Sequence, residues 1–179
     1  MLKMDINHRL GCLNNANVYH RDNNMNILDI NNKYLLASST SATHLLELPD
    51  LTLFRTSDSS YKLGHLQYAT GIAVLCKGSL AIFYDFKYNK AISSVDTYLK
   101  IVKIALIKNL LIAVSDSRIL IYDTIQKVNL CYIPVYDGYK VGINPDYYNL
   151  KLFYPINAEL FEEKHLWTNK ATKIKCTER

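Results

Sequence analysis

Paired apolar runs that recur every 36–39 residues predict an all-β fold. The expected architecture is a partial WD40-type β-propeller of about four blades, each a four-stranded antiparallel sheet. Two observations carry this. The run Leu80-Ala81-Ile82-Phe83-Tyr84-Asp85 ends 38 residues before the run Ile119-Leu120-Ile121-Tyr122-Asp123. Weaker counterparts flank them: His44 to Pro49, with Pro49 standing 36 residues before Asp85, and Ala158 to Glu162, with Glu162 standing 39 residues after Asp123. Each of these runs also follows a second apolar run across a joint rich in Ser, Thr, Asp, Gly or Pro, the residues that favour tight turns.

Taken in order, residues 1–25 show no sustained periodicity and are expected to be an N-terminal tail or first strand. Asparagine clusters at Asn14-Asn15-Ala16-Asn17 and Asn23-Asn24 read as loop. The opening Met1-Leu2-Lys3-Met4-Asp5 lacks the apolar core of a signal peptide. Residues 26–170 hold the blades. Their inner runs are Tyr34-Leu35-Leu36-Ala37, Ile72-Ala73-Val74-Leu75, Leu110 to Val114, and Leu150 to Tyr154. The stretch Leu99 to Val114 is nearly continuous apolar sequence with Lys100, Lys103 and Lys108 inside it, so a basic amphipathic helix competes there. It is shorter than the roughly 20 residues of a membrane span. Its Ile and Val favour strands, and Asn109 breaks it where the repeat requires a turn. Residues 171–179 are expected to form a basic C-terminal tail. Within residues 170–179 four positive charges face Glu178 alone, a pattern that suits a solvated end or contact with an anionic surface.

Composition agrees with one domain. A chain of 179 residues that is 49% hydrophobic can bury a sizeable core. The net charge of +5 is mildly basic, and no aromatic–basic interleaving of an RNA-binding sheet accompanies it, so no nucleic-acid partner is expected. Cys12, Cys76, Cys131 and Cys176 are scattered with no C-x-x-C pair, and no N-x-Ser/Thr acceptor occurs. An intracellular, reducing location follows, with Cys76 and Cys131 as buried free thiols beside strands.

No constellation supports catalysis. His8, His20, His44, His65 and His165 never stand at metal-ligand spacing, and Glu162-Glu163-Lys164-His165 lacks the H-E-x-x-H order. Gly71 and Gly78 stand alone, so no phosphate loop is built. Asp85 and Asp123 invite an acid–base role, yet each closes a strand in repeat register, where a turn-forming role explains it. The expectation is a protein without catalytic, metal-binding or cofactor-binding residues, and no cofactor.

The most specific stretch, residues 101–155, resembles a known family. Val102-Lys103-Ile104 through Leu110 to Val114, then Arg118-Ile119-Leu120-Ile121-Tyr122-Asp123, is similar to the third-blade region of the PROPPIN proteins. These are WIPI-type WD-repeat propellers that bind phosphoinositides. In that family a small-x-x-Pro turn and then a Leu-Ala-Tyr-Pro step follow. Here Gly142-Ile143-Asn144-Pro145 and Leu152-Phe153-Tyr154-Pro155 occupy those places, with Ile156 where a glycine is usual. Asn26 to Asp50 resembles the first blade, and the likeness spans about residues 26–160.

The resemblance implies a scaffold in autophagy or endosomal membrane traffic. Such a protein is cytoplasmic, works through protein partners and attaches peripherally to autophagosomal or endosomal membranes through phosphoinositides. Family members have seven blades and a Phe-Arg-Arg-Gly motif in a later one. This chain has no Arg-Arg pair, so no lipid-binding residue can be assigned. Four blades also leave blade faces open, to be covered by a partner, by self-association or by further blades. The alternative is a generic WD-repeat interaction module without lipid binding, using the loops around Ser57–Tyr61 and Asp137–Lys140. In either case Val114, Ile119 and Ile121 should lie inside a four-stranded sheet with Leu120 also covered, and Asp116 and Arg118 at its turn.

Overall fold

The structure is a computed structural model that describes residues 25–57, 59–67, 70–144, 146 and 148–175. Expectations for residues 1–24, including Cys12, His8 and His20, for Pro145 and for residues 176–179 with Cys176 fall outside that range. Among the described residues sixteen strands form four antiparallel sheets of four, each a simple meander in chain order. The first sheet is β1 Asn26–Ile30, β2 Tyr34–Ser38, β3 Thr43–Glu47 and β4 Thr52–Ser57. The second is β5 Leu63–Leu66, β6 Ile72–Lys77, β7 Leu80–Asp85 and β8 Lys90–Asp96. The third is β9 Lys103–Ile107, β10 Leu110–Val114, β11 Arg118–Asp123 and β12 Val128–Pro134. The fourth is β13 Gly142–Asn144, β14 Lys151–Pro155, β15 Leu160–His165 and β16 Ala171–Lys175. The partial propeller expected from the repeat is therefore present. The described residues fall into two compact units: residues up to 75 with 83–92, and residues 76–82 with 93 onward.

The runs found in the sequence are the second and third strands of every sheet, but the register within the repeat differs. Third strands end at Glu47, Asp85, Asp123 and His165, at intervals of 38, 38 and 42 residues. The equivalents of Asp123 are thus Glu47 and His165, not Pro49 and Glu162. A backbone feature sets this register. The turn after each third strand ends in a left-handed residue: Leu51 (φ 55°), Asn89 (51°), Lys127 (57°) and Asn169 (54°). The residues at that left-handed position share no side-chain type, so side-chain identity places the equivalents of Asp123 two or three positions away. The expected tail boundary also moves, because Ala171–Lys175 is the outer strand of the fourth sheet, paired with β15 from Leu160↔Lys175 to Lys164↔Ala171. Its alternating Thr172 and Ile174 were masked in the sequence by the surrounding lysines.

Polar side chains close the hairpins. Asp123 accepts the backbone N–H groups of Ile125 and Gln126 at 2.8 and 2.9 Å and the Asn109 amide at 2.8 Å. Asp85 accepts those of Lys87 and Tyr88 at 2.9 and 3.3 Å. Asn31, Ser39, Ser115 and Asn157 hold other turns in the same way. Each such side chain satisfies donors that the tight turn leaves unpaired. In all four sheets the turn after the third strand is also bonded to the turn after the first. Leu48, Phe86, Thr124 and Leu166 donate their N–H to the carbonyls of Lys33, Gly71, Asn109 and Leu150, at 2.8–3.1 Å.

In the second unit the main core lies between the third and fourth sheets. Ile112, Val114, Ile119 and Ile121 pack with Val141, Leu150, Leu152 and Tyr154. The pairing Ile112↔Ile121 and Val114↔Ile119 places these four on one face. Leu111, Ala113 and Leu120 on the opposite face are buried as well. Strands covered on both sides read as unbroken apolar runs rather than alternations, which is why Leu99 to Val114 could pass for a helix. It is two strands, reversed at Lys108 (φ 54°) and Asn109. Asp116 lies in the following bend, and Arg118 opens β11 with its side chain exposed.

In the first unit, Gly64 permits close packing. A Cβ there would stand 2.9 Å from Leu36 Cδ2 and 3.1 Å from Leu75 Cδ2. Asp29 on β1 reaches the same neighbourhood and accepts the Leu66 N–H at 2.7 Å.

Replacing Ile121 with Asp should cost about 3–5 kcal/mol, the scale of an uncompensated buried charge. That is a large share of a marginal domain's stability. Urea unfolding followed by circular dichroism should show the loss, on a parent spectrum dominated by strand.

Candidate binding surfaces

The loops singled out in the sequence are both connections from the last strand of one sheet to the first of the next. They lie in different compact units. Neither hangs free: each is bonded to the turn between the second and third strands of the sheet it leaves. In the first sheet the Ser60 hydroxyl donates to the Ser39 carbonyl at 2.5 Å, and the Tyr61 N–H to Thr43 Oγ1 at 3.1 Å. Ser57, itself buried, accepts from the Thr43 N–H. The connection after β8 repeats the pattern, with the Thr97 N–H and hydroxyl on the Ser79 carbonyl and the Ile101 N–H on the Gly78 carbonyl.

The third connection is the most developed. Val135 and Gly138 donate their N–H to the carbonyls of Ser117 and Asp116. Asp137 caps a single 3-10 turn, Gly138–Lys140, by accepting the Tyr139 N–H at 3.0 Å. The Lys103 ammonium, reaching across from β9, donates to the carbonyls of Tyr139 (2.8 Å) and Val141. Gly138 is required by contact: a Cβ there would fall 1.6 Å from the Ser115 carbonyl oxygen. On this fixed backbone Tyr136 and Tyr139 remain 61% and 65% exposed. Rigid, exposed aromatic groups at a loop are good anchors for a protein partner, because little freedom is lost on binding. The sequence marked this loop by its polarity alone. The close approach of Gly138 and the reach of Lys103 depend on pairings 22 to 38 residues apart in the chain.

The ionisable residues serve the fold. His44 is buried between Thr56 Oγ1 at 2.9 Å and Ser39 Oγ at 3.4 Å. His65 sits 3.9 Å from Asp29, and burial lowers its pKa below the usual histidine value against the pull of that carboxylate. His165 and Lys151 converge on Glu163 at 3.4 and 3.2 Å. By strand pairing, Lys151 and Glu163 occupy the positions that Leu110 and Ile121 hold in the third sheet. The outward face of the fourth sheet therefore carries an ion pair where the third carries core. Tyr154 donates to Glu162, and burial with that carboxylate nearby raises its pKa. Among the described residues no group of three or more His, Cys, Asp or Glu could hold a metal. No helix among them is long and apolar enough to cross a membrane.

No family model and no curated protein matches the sequence. Solved structures do. Kluyveromyces lactis Hsv2 with a complete loop 6CD is 14% identical, with a TM-score of 0.70 over 87% of this chain and 51% of that one. A complex of KlAtg21 with the coiled coil of AgAtg16 is 14% identical, with a TM-score of 0.71 over 87% of this chain and 57% of the other. The fold of this chain is PROPPIN-like. The chain spans about half the length of these structures. Kuenenia stuttgartiensis hydrazine synthase also matches, at 10% identity and a TM-score of 0.60 over 80% of this chain and 46% of that one. This fold thus occurs in an enzyme as well as in the PROPPIN proteins, and the fold by itself does not fix a function.

Two outcomes test these surfaces. Gly138→Ala should destabilise the protein by about 1–3 kcal/mol, as overpacking does, with faster amide exchange concentrated at residues 138–141. Burial pushes the Cys76 thiol up to about 11, so it stays protonated and should resist iodoacetamide at pH 8 until the chain is unfolded. Because the folded value lies above the unfolded one, Cys76 adds stability that is fully present below the unfolded pKa. That stability is lost as pH rises through the interval toward 11. Mass spectrometry of labelled peptides and alkaline melts provide the measurement.

Proposed function

We propose that this chain is a non-catalytic, PROPPIN-like propeller scaffold that presents protein-binding loops in autophagy or endosomal membrane traffic. The observation that carries the reading is the likeness to Hsv2 and Atg21 over most of this chain, one of them solved with a coiled-coil partner. The latched connection holding Tyr136 and Tyr139 supplies a surface suited to such a partner. The location that goes with it is cytoplasmic, with recruitment to autophagosomal or endosomal membranes.

For the residues in hand, which hold no Arg-Arg pair, a second reading is a WD-repeat interaction module without phosphoinositide recognition. A headgroup bearing several phosphate charges is held by paired, fork-shaped guanidinium groups. The five arginines of this chain are isolated from one another in sequence.

Two experiments separate these readings. Affinity capture with the full chain should enrich coiled-coil or other proteins of autophagic or endosomal membranes, and Tyr136→Ala with Tyr139→Ala should abolish that enrichment. Capture unaffected by the pair, or of unrelated proteins only, would overturn the scaffold reading. Flotation with phosphatidylinositol 3-phosphate vesicles should show no preference over phosphatidylserine vesicles of equal charge, and a tenfold preference would restore headgroup recognition.

A further inference from the structure

At the end of the third and fourth sheets opposite the Tyr136–Tyr139 loop, the turns after the third strands are equivalent in the repeat. Lys127 and Asn169 are their left-handed closing residues. Ile125 and Trp167 therefore occupy the same position in successive turns, two residues earlier. Ile125 is 78% exposed and Trp167 is 38% exposed. Lys108, in the turn between β9 and β10, places its ammonium 4.6 Å from the centre of the Trp167 ring. Lys127 and Lys170 are exposed beside them, and Tyr148 extends from the turn before β14. Of the carboxylates at this end, Asp123 is buried in its turn, and Glu163 is engaged by Lys151 and His165. Asp146 is exposed, with one oxygen accepting the N–H groups of Tyr148 and Asn149.

We propose that this row of turn tips is a contact surface for an anionic lipid bilayer, recognised by surface charge rather than by headgroup. The apolar groups project from the tips of turns instead of lining a concave pocket. A fluid interface accepts such groups without matching their shape. Tryptophan and tyrosine settle at the boundary between headgroups and chains, where an apolar ring and a polar edge are both satisfied. Lysines stretch their apolar stems along that boundary and leave the ammonium among the phosphates. An acidic protein would use the lysines but has no equal need of an isoleucine and a tryptophan at successive tips.

The chain has a single tryptophan, so its fluorescence reports on this surface alone. The full chain should show a blue shift with vesicles of phosphatidylcholine plus phosphatidylserine, none with phosphatidylcholine alone, and reversal by salt. Lys108→Gln, Lys127→Gln and Lys170→Gln should each weaken binding about fivefold. Ile125→Ser should weaken it with the fold unchanged by circular dichroism, and Trp167→Ser should do the same in a sedimentation assay. Absence of a shift at saturating anionic vesicles would overturn the proposal. So would vesicle binding that survives both tip substitutions, or a shift equally well produced by soluble polyglutamate. Partner capture through Tyr136 and Tyr139 uses the other end of the sheet, so failure here leaves that test unaffected, and the reverse.

Discussion

Burial on both faces of a four-stranded sheet is the constraint from which the rest of this structure follows. The third sheet makes it plain. Ile112, Val114, Ile119 and Ile121 cover one side, Leu111, Ala113 and Leu120 the other, and all are buried. A sheet with two apolar faces cannot stand in water by itself, since burial of those faces is its main source of stability. It needs a neighbour, and a repeated sequence supplies one. Stability in the second unit is therefore shared between sheets, through contacts such as those of Ile119 and Ile121 with the cluster that includes Leu152 and Tyr154.

Stacking of that kind only works if successive sheets have the same dimensions. Here backbone hydrogen bonds enforce it. The tie from the turn after the third strand to the turn after the first occurs in all four sheets, at Leu48–Lys33, Phe86–Gly71, Thr124–Asn109 and Leu166–Leu150. It uses main-chain atoms, so it survives divergence from Pro49 to Ile125 to Trp167 in the turns themselves. The Asp and Asn side chains that cap these turns are part of the same device. This is why Asp85 and Asp123, which in another setting would attract a catalytic reading, are occupied by turn N–H groups.

The ends of the sheets are where variation is allowed. At one end, connections are bonded down to neighbouring turns, and the third of them holds two exposed tyrosines on a backbone with no room for a Cβ at residue 138. At the other end, the same turn geometry presents an isoleucine and then a tryptophan. The fourth sheet adds a third departure, since Lys151 and Glu163 replace Leu110 and Ile121 at matching positions. A partly exposed pair of opposite charge thus stands where the third sheet holds two aliphatic residues.

Fold class, the expectation of about four four-stranded blades, and the buried identity of Ile119, Leu120 and Ile121 were determined by the sequence alone, because apolar periodicity and turn residues are local signals. The four apolar pairs also marked the second and third strands of each sheet correctly. The register between repeats was decided only in three dimensions. Left-handed residues as different as Leu51 and Lys127 fill the same turn position, and nothing in their side chains announces it. The outer strand Ala171–Lys175 likewise looked like a charged tail, since an exposed edge strand needs no apolar pattern and gains its order from pairing with β15. The surfaces argued to bind partners belong to the same class. Tyr136, Tyr139, Ile125 and Trp167 are unremarkable in sequence, and acquire meaning only from the backbone bonds that hold them at the ends of stacked sheets.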